Sequence, residues 1–197
     1  MPNANRPSGL APVQYLNGAP WNGQARLYSI APTYTTKLAI GDAVVSSGTA
    51  DARGVPGIVR ATATGALRGV IVGLGTQEGL IAGGGPSNLD STIRPAAAQT
   101  GTWYAMVVDD PSVIFEVQET GTPMAAADVG LNASLSVADA NNFLSQMQVD
   151  AASKATTATL QLKLLGLSRR TDNEFGAYAK WLVTINNHEF SAGTLGV

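Results

Sequence analysis

Few side chains in this sequence can do chemistry. There is one histidine and no cysteine, and 14 acidic groups stand against 12 basic ones. His188, in Asn187-His188-Glu189, is the sole candidate base for a Ser–His–Asp relay. No G-x-S-x-G elbow accompanies it, so a structural or exposed histidine is expected. Asp109 and Asp110 are adjacent, and Glu116 and Glu119 are three apart. Paired carboxylates can hydrolyse glycosides. On an extended chain, however, an odd separation puts two side chains on opposite faces, so neither pair converges from one strand. The aspartates are expected in a turn and the glutamates on solvated faces. Val70-Ile71-Val72-Gly73-Leu74-Gly75 runs a strand into G-x-G, as a dinucleotide site would. The third glycine position is Glu78, whose carboxylate would repel a pyrophosphate, and Gly79 to Gly85 is a poor helix. A strand with glycines at a bulge or close contact is expected instead, followed by a loop at Gly83-Gly84-Gly85-Pro86.

The remaining motifs are weaker. Asp172-Asn173-Glu174 lacks the spacing of a calcium loop and reads as a turn. Asn132-Ala133-Ser134 fits a glycosylation sequon, but nothing else indicates secretion. Arg169-Arg170 is too short for a nucleic-acid patch and marks a strand end. Without cysteine there is no disulfide and no thiolate metal site. No catalytic residue, cofactor or metal is expected, and the chain does not read as an enzyme.

The elements that must position these groups are short strands between turns. Strands are predicted at Leu27 to Ala31, Ala43 to Ser46, Ile58 to Ala63, Leu67 to Leu74, Trp103 to Val108 and Val113 to Gln118. The last two are joined by Asp109-Asp110-Pro111-Ser112, a hairpin-like connector. Pro123 to Val129 predicts one or two helical turns, with Thr122 as N-cap and Gly130 as the stop. Leu160, Leu162 and Leu164 alternate with Gln161 and Lys163, and Trp181, Val183 and Ile185 alternate with Leu182, Thr184 and Asn186. This period of two predicts a long antiparallel hairpin. The fold class is mainly β: a single antiparallel barrel or jelly-roll-like sandwich over residues 27–197, with an extended N-terminal arm over residues 1–26.

The arm carries Pro2, Pro7, Pro12 and Pro20, with turn pairs Asn17-Gly18 and Asn22-Gly23. It also carries Leu10, Val13, Tyr15, Leu16 and Trp21, which a disordered tail would lack. Its charges are Arg6 and Arg26. Two arrangements fit: a strap on its own domain, or an arm laid across a neighbouring subunit. In the second, Arg6, Leu10, Tyr15, Trp21 and Arg26 are the candidate partner-binding residues.

Only 13% of the chain is charged, about half the usual share, while 45% is hydrophobic. Interface cores are depleted in charge, so assembly with partners is expected. The net charge of −2 argues against direct nucleic-acid binding. No stretch approaches the roughly 20 apolar residues of a membrane span, and the first residues have no apolar signal region.

Two blocks of wording resemble a known group. One is Arg6-Pro7-Ser8-Gly9-Leu10-Ala11-Pro12-Val13 with Tyr15-Leu16-Asn17-Gly18-Ala19-Pro20-Trp21. The other is Ala158-Thr159-Leu160-Gln161-Leu162-Lys163-Leu164-Leu165-Gly166-Leu167, with Asp172-Asn173-Glu174-Phe175-Gly176 and Ala179-Lys180-Trp181-Leu182-Val183-Thr184-Ile185-Asn186. They resemble small virion structural proteins of tailed bacteriophages, over about a third of the chain. The resemblance implies a capsid decoration, or cement, protein on the surface of the virion head. Such a protein would be a β-rich homotrimer bridging subunits of the major capsid protein. A neck, tail-tube or fibre-base protein would share these features. A carbohydrate-binding β module is the alternative of another class, with Trp21, Trp103 and Trp181 available to line a cleft.

Overall fold

The computed structural model describes residues 3–75, 91–141, 143–191, 193, 195 and 196. The expected loop at Gly83 to Pro86, and the Glu78 position of the G-x-G reading, lie outside the described residues. The chain is mainly β, as expected, and its strands are divided between a barrel and a curled sheet.

The barrel comprises β2 (Arg26–Ile30), β4 (Ala43–Ala50), β5 (Pro56–Arg60), β6 (Gly69–Gly75) and β8 (Trp103–Val108). Their order is β2-β5-β4-β6-β8, closing from β8 back to β2. All contacts are antiparallel except β2–β5, which meet in parallel through the single pair Ser29↔Gly57. A two-stranded ribbon, β3 (Leu38–Ala39) with β7 (Ile93–Arg94), accompanies it. The sheet runs β1-β9-β13-β12-β10-β11, antiparallel throughout. Its strands are β1 (Ala11–Tyr15), β9 (Val113–Gln118), β10 (Asn132–Ser136), β11 (Gln148–Ala155), β12 (Leu162–Leu167) and β13 (Lys180–Ile185). The sheet curls back on itself. Glu119, just past β9, forms a parallel bridge to Val149 of β11, and Thr120 N–H donates to the Val149 carbonyl at 3.0 Å.

Side-chain alternation divides the strand residues between two cores. Val44, Ile71 and Val107 fill the barrel with Tyr28, Ile30, Ile58, Leu74 and Trp103. Their neighbours Ala43, Val70 and Val108 point the other way, into a second cluster with Phe115, Val117, Leu135, Val149, Leu164, Trp181 and Val183 of the sheet. Strands buried on both faces read as continuous apolar runs, which is what Val70–Leu74 and Val107–Val108 are. Gly69 sits against the neighbouring strand β8: a Cβ there would overlap the Val108 carbonyl.

Several expectations need correction. The Asp109–Ser112 connector does not close a hairpin. β8 pairs with β2 and β6, and β9 pairs with β1 and β13, so the connector hands the chain from barrel to sheet. The predicted helix is one turn of 3-10 helix, Ala126–Asp128, with Asp128 accepting from Ala125 N–H at 2.8 Å. Gln161, expected on a polar face, is buried, accepting from Leu135 N–H and donating to the Thr62 carbonyl. β10 and β11 were not anticipated. The β12–β13 hairpin is present, in register from Leu162↔Ile185 to Leu167↔Trp181 with a bulge between Leu164 and Gly166.

The segment expected as an arm lies on its own chain. β1 pairs with β9, and Leu10 is buried in the shared core. Leu10 N–H donates to the Gly41 carbonyl at 2.9 Å. Gly9 allows this approach: its φ is +73°, and a Cβ there would overlap Gly41 and Ser145.

Candidate functional site

The five residues proposed for partner binding fall in different surroundings. Leu10 is committed to the chain's own core. Arg6 is exposed, with its backbone N–H donating to Gln118 Oε1 at 3.0 Å. It lines a cleft of about 240 Å³ with Asn3, Arg170, Asp172, Tyr178 and Lys180. Asn3 fastens the segment there by donating to the Glu174 and Ala177 carbonyls. Tyr15 and Trp21 lie on a small outer hairpin, in which Tyr15 N–H donates to the Ala19 carbonyl at 2.8 Å and Trp21 N–H to the Val13 carbonyl at 3.1 Å. The Tyr15 hydroxyl donates to Asn22 Oδ1 at 2.9 Å, and Trp21 Nε1 to the Gln24 carbonyl at 3.3 Å. Val13 and Leu16 of this hairpin are exposed.

Arg26 belongs to a second cleft, of about 470 Å³, with Gln24, Asp109, Asp110, Pro111 and Phe190. The start of β2 and the end of β8 place Arg26 and Asp109 together, 3.5 Å apart. The Tyr28 hydroxyl donates to Asp109 Oδ2 at 2.6 Å. Burial, reinforced by that carboxylate, pushes the Tyr28 phenol up to about 12, so it stays protonated. The segment after β13 lies along Leu67, with Leu67 N–H donating to Asn187 O and Glu189 N–H to Leu67 O. It brings Glu189 to Arg68 at 2.5 Å and lays Phe190 under the Arg68 guanidinium, 4.2 Å from the ring centroid.

His188 is buried in this segment, and burial lowers its pKa, which favours the neutral ring. Its Nδ1 accepts from Phe190 N–H at 3.0 Å. A catalytic relay needs Nδ1 to donate to a carboxylate, so this tautomer is the wrong one for such a role. The carboxylates are committed as well. Asp110 Oδ1 accepts from both the N–H and the hydroxyl of Ser112, a turn as expected. The glutamates depart from expectation. Glu116 is largely covered, accepting from Ser168 Oγ at 2.5 Å and pairing with Arg170 at 3.1 Å. Glu119 is fully buried. Asn132 of the sequon is buried within β10.

A third cleft, of about 370 Å³, opens on the barrel beside the sparse β2–β5 seam. Ala31, Pro32, Tyr34, Ala50, Ile58 and Val59 give it apolar walls, with hydroxyls from Ser29, Ser47, Thr49 and Thr102. Arg94, wholly buried, shapes its rim by donating to the Ala31, Tyr34 and Thr36 carbonyls. Trp103 and Trp181 are buried and reach none of the three clefts, which leaves Trp21 as the partly accessible tryptophan.

Fold and clefts together define the class: a mainly β protein in which a closed barrel is fused to a curled sheet, with clefts at its surface. Among the described residues, no three His, Asp or Glu side chains come together as a metal site, and no helix is long and apolar enough to cross a membrane. No family model matches the chain, and no curated protein or solved structure matches it either.

Proposed function

We propose that this protein is a structural component of a tailed-phage virion. It decorates the outside of the capsid and stabilises it by bridging subunits of the major capsid protein, itself as a homotrimer. One observation carries the reading: large apolar side chains stand exposed on a surface poor in charge, while several charged groups are buried. Asp42, Arg94, Asp109 and Glu119 are buried, while Phe143 is 71% exposed, Leu195 68% and Leu16 59%. With 13% charged residues in the whole chain, the surface is sparsely charged, and depletion of charge is a feature of interface cores. The wording shared with phage structural proteins supplies the kind of partner.

Phe143 stands exposed beside neighbours that make several contacts. Asn141 Oδ1 accepts from both Phe143 and Leu144 N–H at 2.8 Å, Lys37 donates to the Ala140 carbonyl, and Arg60 pairs with Asp139. An exposed aromatic of this kind is a typical anchor at interfaces. Light scattering at micromolar concentration is expected to give a trimer, and a 20 kDa monomer would count against the assembly. The functional test is a thermal DNA-release assay on heads with and without the protein. A protein that binds the assembled shell, and not its free subunits, stabilises the shell by about 2.7 kcal/mol per site at about 100 times its Kd. Heads lacking it are expected to release DNA at lower temperature, with saturable rescue on adding it back. Identical release curves with the protein shown to be bound would overturn the proposal.

A further inference from the structure

The N-terminal segment contains two Asn-Gly pairs, with Gly18 and Gly23 both at φ +87°. Their chemical surroundings differ in two ways. Gly18 N–H donates to the Tyr15 carbonyl at 2.9 Å, whereas no such bond ties Gly23 N–H among the described residues. Asn17 Oδ1 accepts one hydrogen bond, from Ala19 N–H at 2.9 Å. Asn22 Oδ1 accepts two, from the Tyr15 hydroxyl at 2.9 Å and from Gln24 N–H at 3.3 Å. Both Asn22 and Gly23 are exposed, and the space around Gly23 is open.

From these contacts we infer that Asn22-Gly23 is a self-modification site, at which Asn22 deamidates through a cyclic imide while the neighbouring Asn17-Gly18 is protected. The Gly23 amide nitrogen gives its proton to solvent base and attacks Asn22 Cγ. The N–Cγ bond forms, the Cγ–Nδ2 bond breaks and ammonia leaves with the proton. Water then opens the imide at either carbonyl to leave aspartate or isoaspartate. In the tetrahedral intermediate the negative charge sits on Asn22 Oδ1, where the Tyr15 hydroxyl and Gln24 N–H already point. Donors aimed at a developing oxyanion accelerate acyl chemistry. Tyr15 also lies 3.4 Å from Gln24 Oε1, the longer of its two contacts. Gly18, by contrast, has its N–H held by a carbonyl and is a poorer nucleophile. The product places a negative charge beside Tyr15. As isoaspartate it adds a backbone carbon next to Trp21, whose N–H closes the hairpin on Val13.

The test is a time course of intact folded protein at mildly alkaline pH, read by peptide mass spectrometry at each asparagine. Asn22 is expected to convert several-fold faster than Asn17. Tyr15→Phe removes one oxygen and leaves the ring in place. It should slow Asn22 roughly tenfold, less than the 10²–10³ worth of a donor in a preorganised enzyme site, and leave Asn17 unchanged. If Asn17 keeps pace with Asn22, or Tyr15→Phe leaves the Asn22 rate unaltered, the assignment is wrong.

Discussion

A chain lacking residues 1–24 should fail to fold cooperatively, while Trp21→Ala should fold and lose about 1 kcal/mol, as single substitutions typically do. The contrast follows from where the segment's contacts lie. Its base is structural. Leu10 is 2% exposed within the shared core, and removing a buried leucine side chain alone costs about 2–5 kcal/mol. Truncation also strips β1 from β9 and leaves the buried Gln118 amide without the Ala4 carbonyl that accepts from it and the Arg6 N–H that donates to it. Domains of this kind are stable by only about 5–15 kcal/mol, so losses of this size combine to exceed the margin. The bared β9 edge would in addition template aggregation. The outer hairpin, residues 16–23, is a different matter: it is mostly exposed and carries Leu16 and Trp21 at the surface. Near-UV circular dichroism and urea unfolding of the two variants decide the point. A truncated chain that unfolds at the full-length midpoint would show that the whole segment is dispensable for folding and free to serve a neighbour.

The strands that could be read from the sequence are those whose composition is set by burial on both faces. Trp103–Val108 and Val113–Gln118 are dense in β-branched and aromatic residues and have the expected bounds. Their pairing was not legible. The Asp-Asp-Pro-Ser connector has the chemistry of a turn, and Asp110 does make one. Whether the next strand returns beside the last depends on where β2, β6 and β13 lie, which no local signal encodes. β10 and β11 escaped because Asn-Ala-Ser-Leu-Ser and Gln-Val-Asp-Ala-Ala-Ser-Lys-Ala are too polar to read as strands. They form because Leu135, Val149 and Ala151 fill the sheet's interior. Glu119 shows a signal that was present and under-used. An odd step from Glu116 puts it on the opposite face, and with Glu116 facing its surface partners Arg170 and Lys180, Glu119 must face in. The Tyr15–Asn22 contact was beyond reach. The sequence marks two Asn-Gly turns but not which one folds back under a tyrosine hydroxyl.

Glu119→Gln should remove most of a pH dependence of about 3 kcal/mol from the protein's stability. The carboxylate is fully buried where the curled sheet closes. Trp181 Nε1 donates to its Oε2 at 2.8 Å, and Met124 N–H lies 3.3 Å from both oxygens. Burial nevertheless dominates and raises its pKa from 4.5 to about 7, with Met124, Trp181 and more distant Lys154 opposing the shift. The sign follows from proton counts. Below about 4.5 both folded and unfolded states hold the proton, and the group is neutral in its effect. As pH rises toward 7 the unfolded chain releases its proton first, so stability falls across that window and the full penalty persists above it. A shift of this size corresponds to about 3 kcal/mol at 1.36 kcal/mol per unit. Asp42, raised by burial to about 6, acts in the same direction over a lower window. Buried His188, with its pKa lowered, acts oppositely, because its unfolded form takes up a proton as pH falls below about 6.5. The difference between wild type and Glu119→Gln cancels both. Glutamine can still accept from Trp181 and Met124 through its one carbonyl oxygen, but its amide brings donors into a site built of donors. The variant should therefore be the less stable protein at pH about 4.5 and gain on the wild type as pH rises to about 8, the change in their difference being what linkage requires. Urea unfolding at a series of pH values measures this directly. Parallel curves would mean that Glu119 titrates as it would in water and that the seam carries no buried charge.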